Sequence, residues 1–397
     1  MNHRKSLEEL ELIPGKDMYS EEARLERLEY LRRMTGKELN ILEKLSSFNP
    51  EDTKGRIENL VGSIEIPVGI AGPLFIRGEK EDGLCFAPMA TVEGTLVAST
   101  NRGARALTQS GGVTARVISR RMMRAPFFVF SDLLSSIAFA AWLTEHAAEI
   151  KAVAATQTRH GKLEEIIPRI MGRIVHVNFL YSTGDAAGQN LSTKCTAAIC
   201  IWISGQVKDI ESIGLEESFI EGNMASDKKA THQSFISGRG TRIVAEGVLK
   251  EKFIRETLNT NADDMHIGYI RGVTGAIQSG MLGYTINLSN VIAAIFAATG
   301  QDIASTHESG MGHFYVEKTG EGDLYVSLLI PSLVIGTIGG GTKLPGQAEL
   351  LDMNNCAGEG KVNRLAEIIA GFCLSLDIST MAAVASNQFA ASHRKYG

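Results

Sequence analysis

At 397 residues and 44% hydrophobic content, the chain can bury one large core and more readily two, which points to a multidomain globular protein. A formal net charge of -5 supplies no overall positive field for nucleic acid, so any anionic ligand must be held locally. Apolar runs such as residues 291–299 fall short of the roughly 18 residues a bilayer needs, and the charged N-terminus has no signal-like core, so a soluble, cytoplasmic protein without membrane partners is expected.

Residues 20–45 repeat apolar positions at helical spacing among Glu, Arg and Lys, which predicts one or two amphipathic helices. Residues 64–76 are rich in Ile and Val but carry Pro67, Gly69, Gly72 and Pro73, so short extended pieces joined by turns are expected there. A helix over residues 91–107, started by Thr91, would set Glu93, Val97 and Asn101 on one face. A β-like run at 127–130, an Ala-rich helix at 131–155, a strand at 173–181 and a helix at 188–204 suggest a small α+β unit. Beyond it come a strand at 241–249, a helix at 280–299, a strand at 323–329, a glycine cluster, and a long amphipathic helix over 362–392.

Several short motifs carry possible chemistry, each with an ordinary reading beside it. Gly339, Gly340 and Gly341 suit either phosphate binding by bare amides or a tight packing turn, and neither a P-loop ending nor a GxGxxG accompanies them. Residues 182–190 (STGDAAGQN) join a strand to a helix, a place that favours anions, while Asp185 equally suits a structural helix-start role. Asp227, Lys228 and Lys229 form a charged triplet that alone reads as solvated surface. Asp302, just after Gly300-Gln301, and His393, near the end of the last helix, are ordinary taken singly. Nine histidines show no HExxH spacing and five cysteines no CxxC pair, so neither a metal site nor a disulfide framework is expected.

Taken together and in order, these motifs resemble the 3-hydroxy-3-methylglutaryl-CoA reductase family. The likeness runs from about residue 58 to 393: ENLVG with IPVGIAGPL, then MATVEGTLVASTNRGARAL around Glu93 and Asn101-Arg102, then GDAAGQN, DKK, GQD, GTIGGGT and Ser392-His393. The resemblance implies an α+β fold with an N-terminal helical segment (1–57) and a large helix-rich CoA- and substrate-binding domain (58–126 and 220–397). Into the latter is inserted a small ferredoxin-like nucleotide-binding domain (127–219). It further implies a homo-oligomer with active sites at the subunit interface, and a four-electron reduction of the acyl-CoA thioester that consumes two NADPH, with NADH as the alternative. The ENxxG, DAxGxN and DKK patterns are closer to the class I form.

Site residues follow from the same resemblance. Glu93, Lys228, Asp302 and His393 match the four catalytic positions. The chemistry suits them: hydride arriving at a thioester carbonyl makes an oxyanion that an ammonium such as Lys228 stabilises, and the leaving thiolate needs a proton, for which the imidazole of His393 is fitted. Glu93 would protonate the final alkoxide, with Asp302 tuning both acid and lysine. Arg124, Asp227, Lys229 and Asn290 match substrate-side positions, and Arg102 and Arg105 fall where coenzyme A is contacted. Asp185, Ala187, Gly188, Gln189 and Asn190 match the cofactor-side loop, joined by Arg159 and by Gly340 and Gly341.

Two departures bear on the acyl group. Glu221 stands where the family has a small residue near the substrate carboxylate, and Ile270 where it has a lysine, with Arg271 beside it. They keep open a same-fold reductase of another acyl-CoA, alongside a non-catalytic CoA- or nucleotide-binding homologue.

Overall fold

A computed structural model describes residues 13–15, 17–44 and 48–386. The N-terminal helix Glu21–Thr35 starts at Ser20, whose hydroxyl accepts from the Ala23 amide, and stops at left-handed Gly36. Its buried arginines fasten it: Arg24 donates to the carbonyls of Leu42, Glu43 and Val61, and Arg27 to those of Gly15, Met18 and Leu60.

Among the described residues eleven strands follow: β1 Val68–Arg77, β2 Asp82–Ala90, β3 Val113–Arg124, β4 Phe127–Phe130, β5 Lys162–Met171, β6 Ile174–Ser182, β7 Leu215–Phe219, β8 Gly240–Leu249, β9 Gly283–Tyr284, β10 Gly312–Lys318 and β11 Leu324–Leu333. They form one curled sheet in the order β7-β4-β6-β3-β8-β11-β10-β9, with β1 joined to β2 and β3, and β5 to β6. The fold is therefore α+β, as expected. β3 connects its two halves: residues 114–121 pair with β8, whereas Met122, Met123 and Arg124 pair with β6.

On either side of that switch lies a separate core. The larger gathers helices Leu96–Gln109, Leu288–Thr299 and Val362–Ala385 against β1, β2, β8, β10 and β11. The smaller packs helices Leu133–Glu145, Ala147–Gln157 and Gln189–Val207 around Phe128, Phe130, Phe139 and Phe179. Odd-numbered residues of β6 point into this second core and alternate with the other face, as strand geometry requires.

Several elements differ from expectation. Residues 68–77 make one strand where turns were expected; the cis Gly72–Pro73 bond coincides with a register shift between Ala71 and Leu74 that the strand absorbs. The helix expected from Thr91 starts at Leu96, because Thr95 is left-handed (φ 72°) and cannot continue a turn. Val97 and Asn101 share its face, but Glu93 lies in the preceding turn. The region 131–155 breaks at His146 into two helices, and His146 stacks on Trp142 at 4.2 Å. Residues 280–299 are not one helix: Gly280 ends helix Ala262–Ser279 in a left-handed cap, and the next helix starts at Leu288.

The last helix, Val362–Ala385, is buried nearly all round rather than amphipathic, and the final residues expected in it lie outside those described. Among the described residues it alone is long and apolar enough to cross a bilayer, yet 89% of that window is buried inside the fold. It is the central core helix, and it lies against helix Leu96–Gln109 at a contact only glycine permits. A Cβ at Gly103 would collide with the Ser375 carbonyl oxygen. Replacing Gly103 by Ala is expected to cost about 3 kcal/mol, read as a lowered urea-unfolding midpoint. A midpoint equal to the parent's would show that the two helices can separate freely.

Candidate active site

Lys228 and Asp302 form an ion pair, Nζ to Oδ2 at 2.9 Å, with both side chains about 40% exposed. Asp302 is positioned by backbone. Helix Leu288–Thr299 ends at left-handed Gly300, where a Cβ would collide with the carbonyl of Gly341, so the helix end and the glycine cluster touch main chain to main chain. Buried Gln301 then exchanges two hydrogen bonds with Gly336, donating to its carbonyl at 3.0 Å and accepting from its amide at 2.9 Å.

Lys228 is presented by a strained loop. Asn223, Ser226 and Lys228 all hold positive φ, at 65°, 57° and 55°, an arrangement costing about 1 kcal/mol or more for each non-glycine residue. The anchor is a buried ion pair. Arg239, 1% exposed, donates to both oxygens of fully buried Glu308 at 2.6 and 2.7 Å, and Glu308 also accepts the Lys228 amide at 3.2 Å. Burial pushes the Glu308 carboxyl up, against the pull of Arg239. Arg239 also faces Asp227 at 2.9 Å, Asp227 pairs with Arg124 at 3.1 Å, and Arg124 pairs with Glu221 at 3.3 Å. Lys229 is exposed and donates to the Asp227 carbonyl at 3.0 Å.

Glu93 and Asn290 make a second cluster. Asn290 donates to both Glu93 oxygens at 2.8 and 2.9 Å, and the Glu93 amide donates to the Thr91 hydroxyl at 3.0 Å. The loop before Asn290 is pinned by Asp377, deep in the core helix, which accepts from the amides of Ile286 and Asn287 at 3.2 and 2.8 Å. Complete burial pushes the Asp377 carboxyl up to about 6, although those amides pull it down. Asn290 and Asp302 lie at opposite ends of helix Leu288–Thr299. The helix alone separates Asn290 from Thr299 by about 14 Å. The described residues of one chain thus bring Lys228 to Asp302 and Glu93 to Asn290, as two pairs. His393 lies outside the described residues.

The other expected residues occupy two further places. Asp185 caps the core helix, accepting from the amides of Gly360, Lys361 and Val362 at 2.8, 3.0 and 3.2 Å. Gly188, at φ 89°, starts helix Gln189–Val207, which has no side-chain cap and so presents free amides. Ala187 lies against Gly336, Gln189 donates to the Ser305 hydroxyl at 3.1 Å, and Asn190 is exposed. Gly340, with open space beside its Cα, is joined to the N-terminal segment by Arg56, which donates to its carbonyl at 2.7 Å, and Gly341 is half-buried. Arg159 and Arg105 are exposed, whereas Arg102 is turned inward to the hydroxyl and carbonyl of Ser379 at 3.0 and 2.7 Å.

Sequence reasoning missed Arg239, Glu308, Gln301 and Asp377. The first two sit in SGRG and HESG, where only a charged residue among small ones hints at burial; Gln301 lies inside the GQD motif, where the aspartate drew the attention, and Asp377 carries no local signal. Among the described residues, no group of three or more His, Cys, Asp or Glu is placed to hold a metal ion.

A family model described as hydroxymethylglutaryl-coenzyme A reductase matches residues 23–397. The 3-hydroxy-3-methylglutaryl-coenzyme A reductase of Aeropyrum pernix is 40% identical over 385 residues, covering 95% of this chain and 90% of its own. That of Methanocaldococcus jannaschii is 38% identical, covering 94% and 92%. Among solved structures, the class II 3-hydroxy-3-methylglutaryl-CoA reductase of Streptococcus pneumoniae bound to NADPH is similar with a TM-score of 0.64 at 19% identity, over 91% of this chain and 96% of that one. At that identity the likeness is one of fold.

Two predictions follow from the buried charges. Arg239→Met leaves Glu308 buried without its cation and is expected to destabilise by about 3–5 kcal/mol in chemical unfolding; a loss under about 1 kcal/mol would mean the pair is not the anchor. For Asp377, the folded carboxyl titrates above its unfolded value of 3.8, so its contribution is full below about pH 4 and is lost as pH rises through about 6. Asp377→Asn removes that loss. Its stability relative to the parent should improve by about 1 kcal/mol between about pH 5 and about pH 8, and a pH-independent difference would contradict the burial argument.

Proposed function

The chain belongs to the hydroxymethylglutaryl-coenzyme A reductase family, and from that premise we propose that it reduces 3-hydroxy-3-methylglutaryl-CoA by four electrons to mevalonate and free CoA. The observation that carries this reading is the Lys228–Asp302 pair at 2.9 Å, held on a strained, deeply anchored loop and open to solvent at its tip. Such expenditure of backbone strain suits a cation that must meet a developing charge.

NADPH supplies the hydride in each of two successive reductions. The residues on its side fit a dinucleotide: Gly339 and Gly340 have positive φ with open space beside them, and helix Gln189–Val207 offers uncapped amides suited to phosphate. Lys228 stabilises the oxyanion formed at the thioester carbonyl, and Asp302 orients its ammonium. His393 protonates the departing thiolate, which leaves an aldehyde. At the second reduction Glu93, oriented by Asn290, supplies the proton to the alkoxide. Arg124 and Lys229 hold the distal carboxylate, and Arg105 lies on the coenzyme A side. NADH is the alternative donor.

Within one chain the helix Leu288–Thr299 keeps Glu93 apart from Lys228, so we assign the complete site to two chains, each supplying one pair. Val92 is 87% exposed beside Glu93 and Ile303 is 59% exposed beside Asp302, which supports cover by a second copy at both places. The described residues of segment 1–57 fasten their helix to the body through Arg24, Arg27 and Arg56; 127–219 is the ferredoxin-like nucleotide unit with its own core, and 58–126 with 220–397 the large CoA- and substrate-binding unit.

Lys228→Ala is expected to lower turnover of the thioester and of the free aldehyde by at least about a hundredfold. Steady-state assays of the purified protein with both substrates and both nucleotides test this. Turnover kept within about tenfold, roughly 1.4 kcal/mol of barrier, would remove Lys228 from the chemistry.

A further inference from the structure

One nitrogen of Arg124 carries two carboxylates, and they are not equivalent. Asp227, at 3.1 Å, also faces buried Arg239 at 2.9 Å, so its departure would strip that guanidinium of one of its two carboxylates. Glu221, at 3.3 Å, is 36% exposed and has no other cation among the described residues. Its second oxygen accepts only the Asn223 amide, at 2.9 Å. Glu221 is therefore the partner that a competing anion can replace.

The surrounding charges sharpen the point. Arg124, Lys228, Lys229 and Arg239 stand against Glu221, Asp227, Asp302 and Glu308, so cations and carboxylates are balanced. A substrate's carboxylate arriving here finds no surplus positive charge unless Glu221 moves away.

We propose that Glu221 is an internal competitor for Arg124, a specificity-determining carboxylate that the distal carboxylate of the substrate must displace. The proposal rests on the reading of a CoA-thioester reductase given above. A thioester with a distal carboxylate exchanges one Arg124 ion pair for another and gains little, while a thioester without one leaves Glu221 in place. Glu221 thus raises KM for the first kind without touching the reacting carbonyl, and narrows the preference between the two.

Glu221→Gln isolates this effect, because the amide keeps an oxygen for the Asn223 N–H and loses the charge. The measurements are steady-state kinetics with 3-hydroxy-3-methylglutaryl-CoA, and calorimetric Kd values for that thioester and for 3-hydroxy-3-methylbutanoyl-CoA, which lacks the carboxylate. KM and Kd for the carboxylate-bearing thioester should fall by about fivefold, with kcat within about twofold and the other Kd unmoved. An unchanged or raised KM overturns the proposal, and so does equal tightening of both thioesters, which a loop-strapping role would produce. A parent protein that turns over no 3-hydroxy-3-methylglutaryl-CoA sinks the functional reading itself; normal parent turnover with an unmoved KM in the variant sinks only the role of Glu221.

Discussion

The candidate site hangs from an ion pair that never meets solvent. Taking two charges out of water is costly, and leaving either alone would be costlier, so Arg239 and Glu308 persist only as a two-bonded pair. Both have spare capacity, and they spend it on one loop: Glu308 accepts the Lys228 amide, and Arg239 faces Asp227. Left-handed backbone at three non-glycine residues is tolerated there because it is tied from below. The direction of the lysine is thus decided by groups that cannot themselves touch a substrate.

The two pairs differ in how they are held. Asp302 follows a helix end that meets a glycine loop main chain to main chain, with Gln301 bonded to Gly336 in both directions. Little rotamer freedom remains in that support. Glu93 sits in a turn and is gripped chiefly by the amide of Asn290, which in turn depends on Asp377 far inside the core helix. Asp302 is framed by backbone and Glu93 by a relay of side chains, and each pair leans on a buried acid, Glu308 beneath Lys228 and Asp377 behind Asn290.

Much of this was readable in the sequence, for identifiable reasons. Glu93, Lys228 and Asp302 were singled out through ordered motifs, and elements bounded by glycine, such as β8 and helix Gln189–Val207, fell close to where they were expected. β5 was missed because it is an edge strand, charged and containing Pro168, a residue edge pairing tolerates. β3 was missed because Arg116, Arg120, Arg121 and Arg124 interrupt its apolar alternation; Arg120 is met by the carbonyls of Ala186 and Ile335, and Arg124 by Asp227. The core helix looked amphipathic because its Ser, Thr, Asp and Glu residues were taken for a wet face. They are buried, and several are bonded to the chain around them. Tertiary partners made those positions, and no local pattern announces a partner.

β3 has a mechanical consequence. It exchanges β8 for β6 between Arg121 and Met122, so the two cores share an unbroken length of backbone as their axle. Arg124 sits at the far tip of that axle, while Lys228 stays moored to the larger body through Glu308. The strain of any tilt of the smaller body about the crossover falls on the Arg124–Asp227 pair, which ties the tip of the axle to the lysine's own loop.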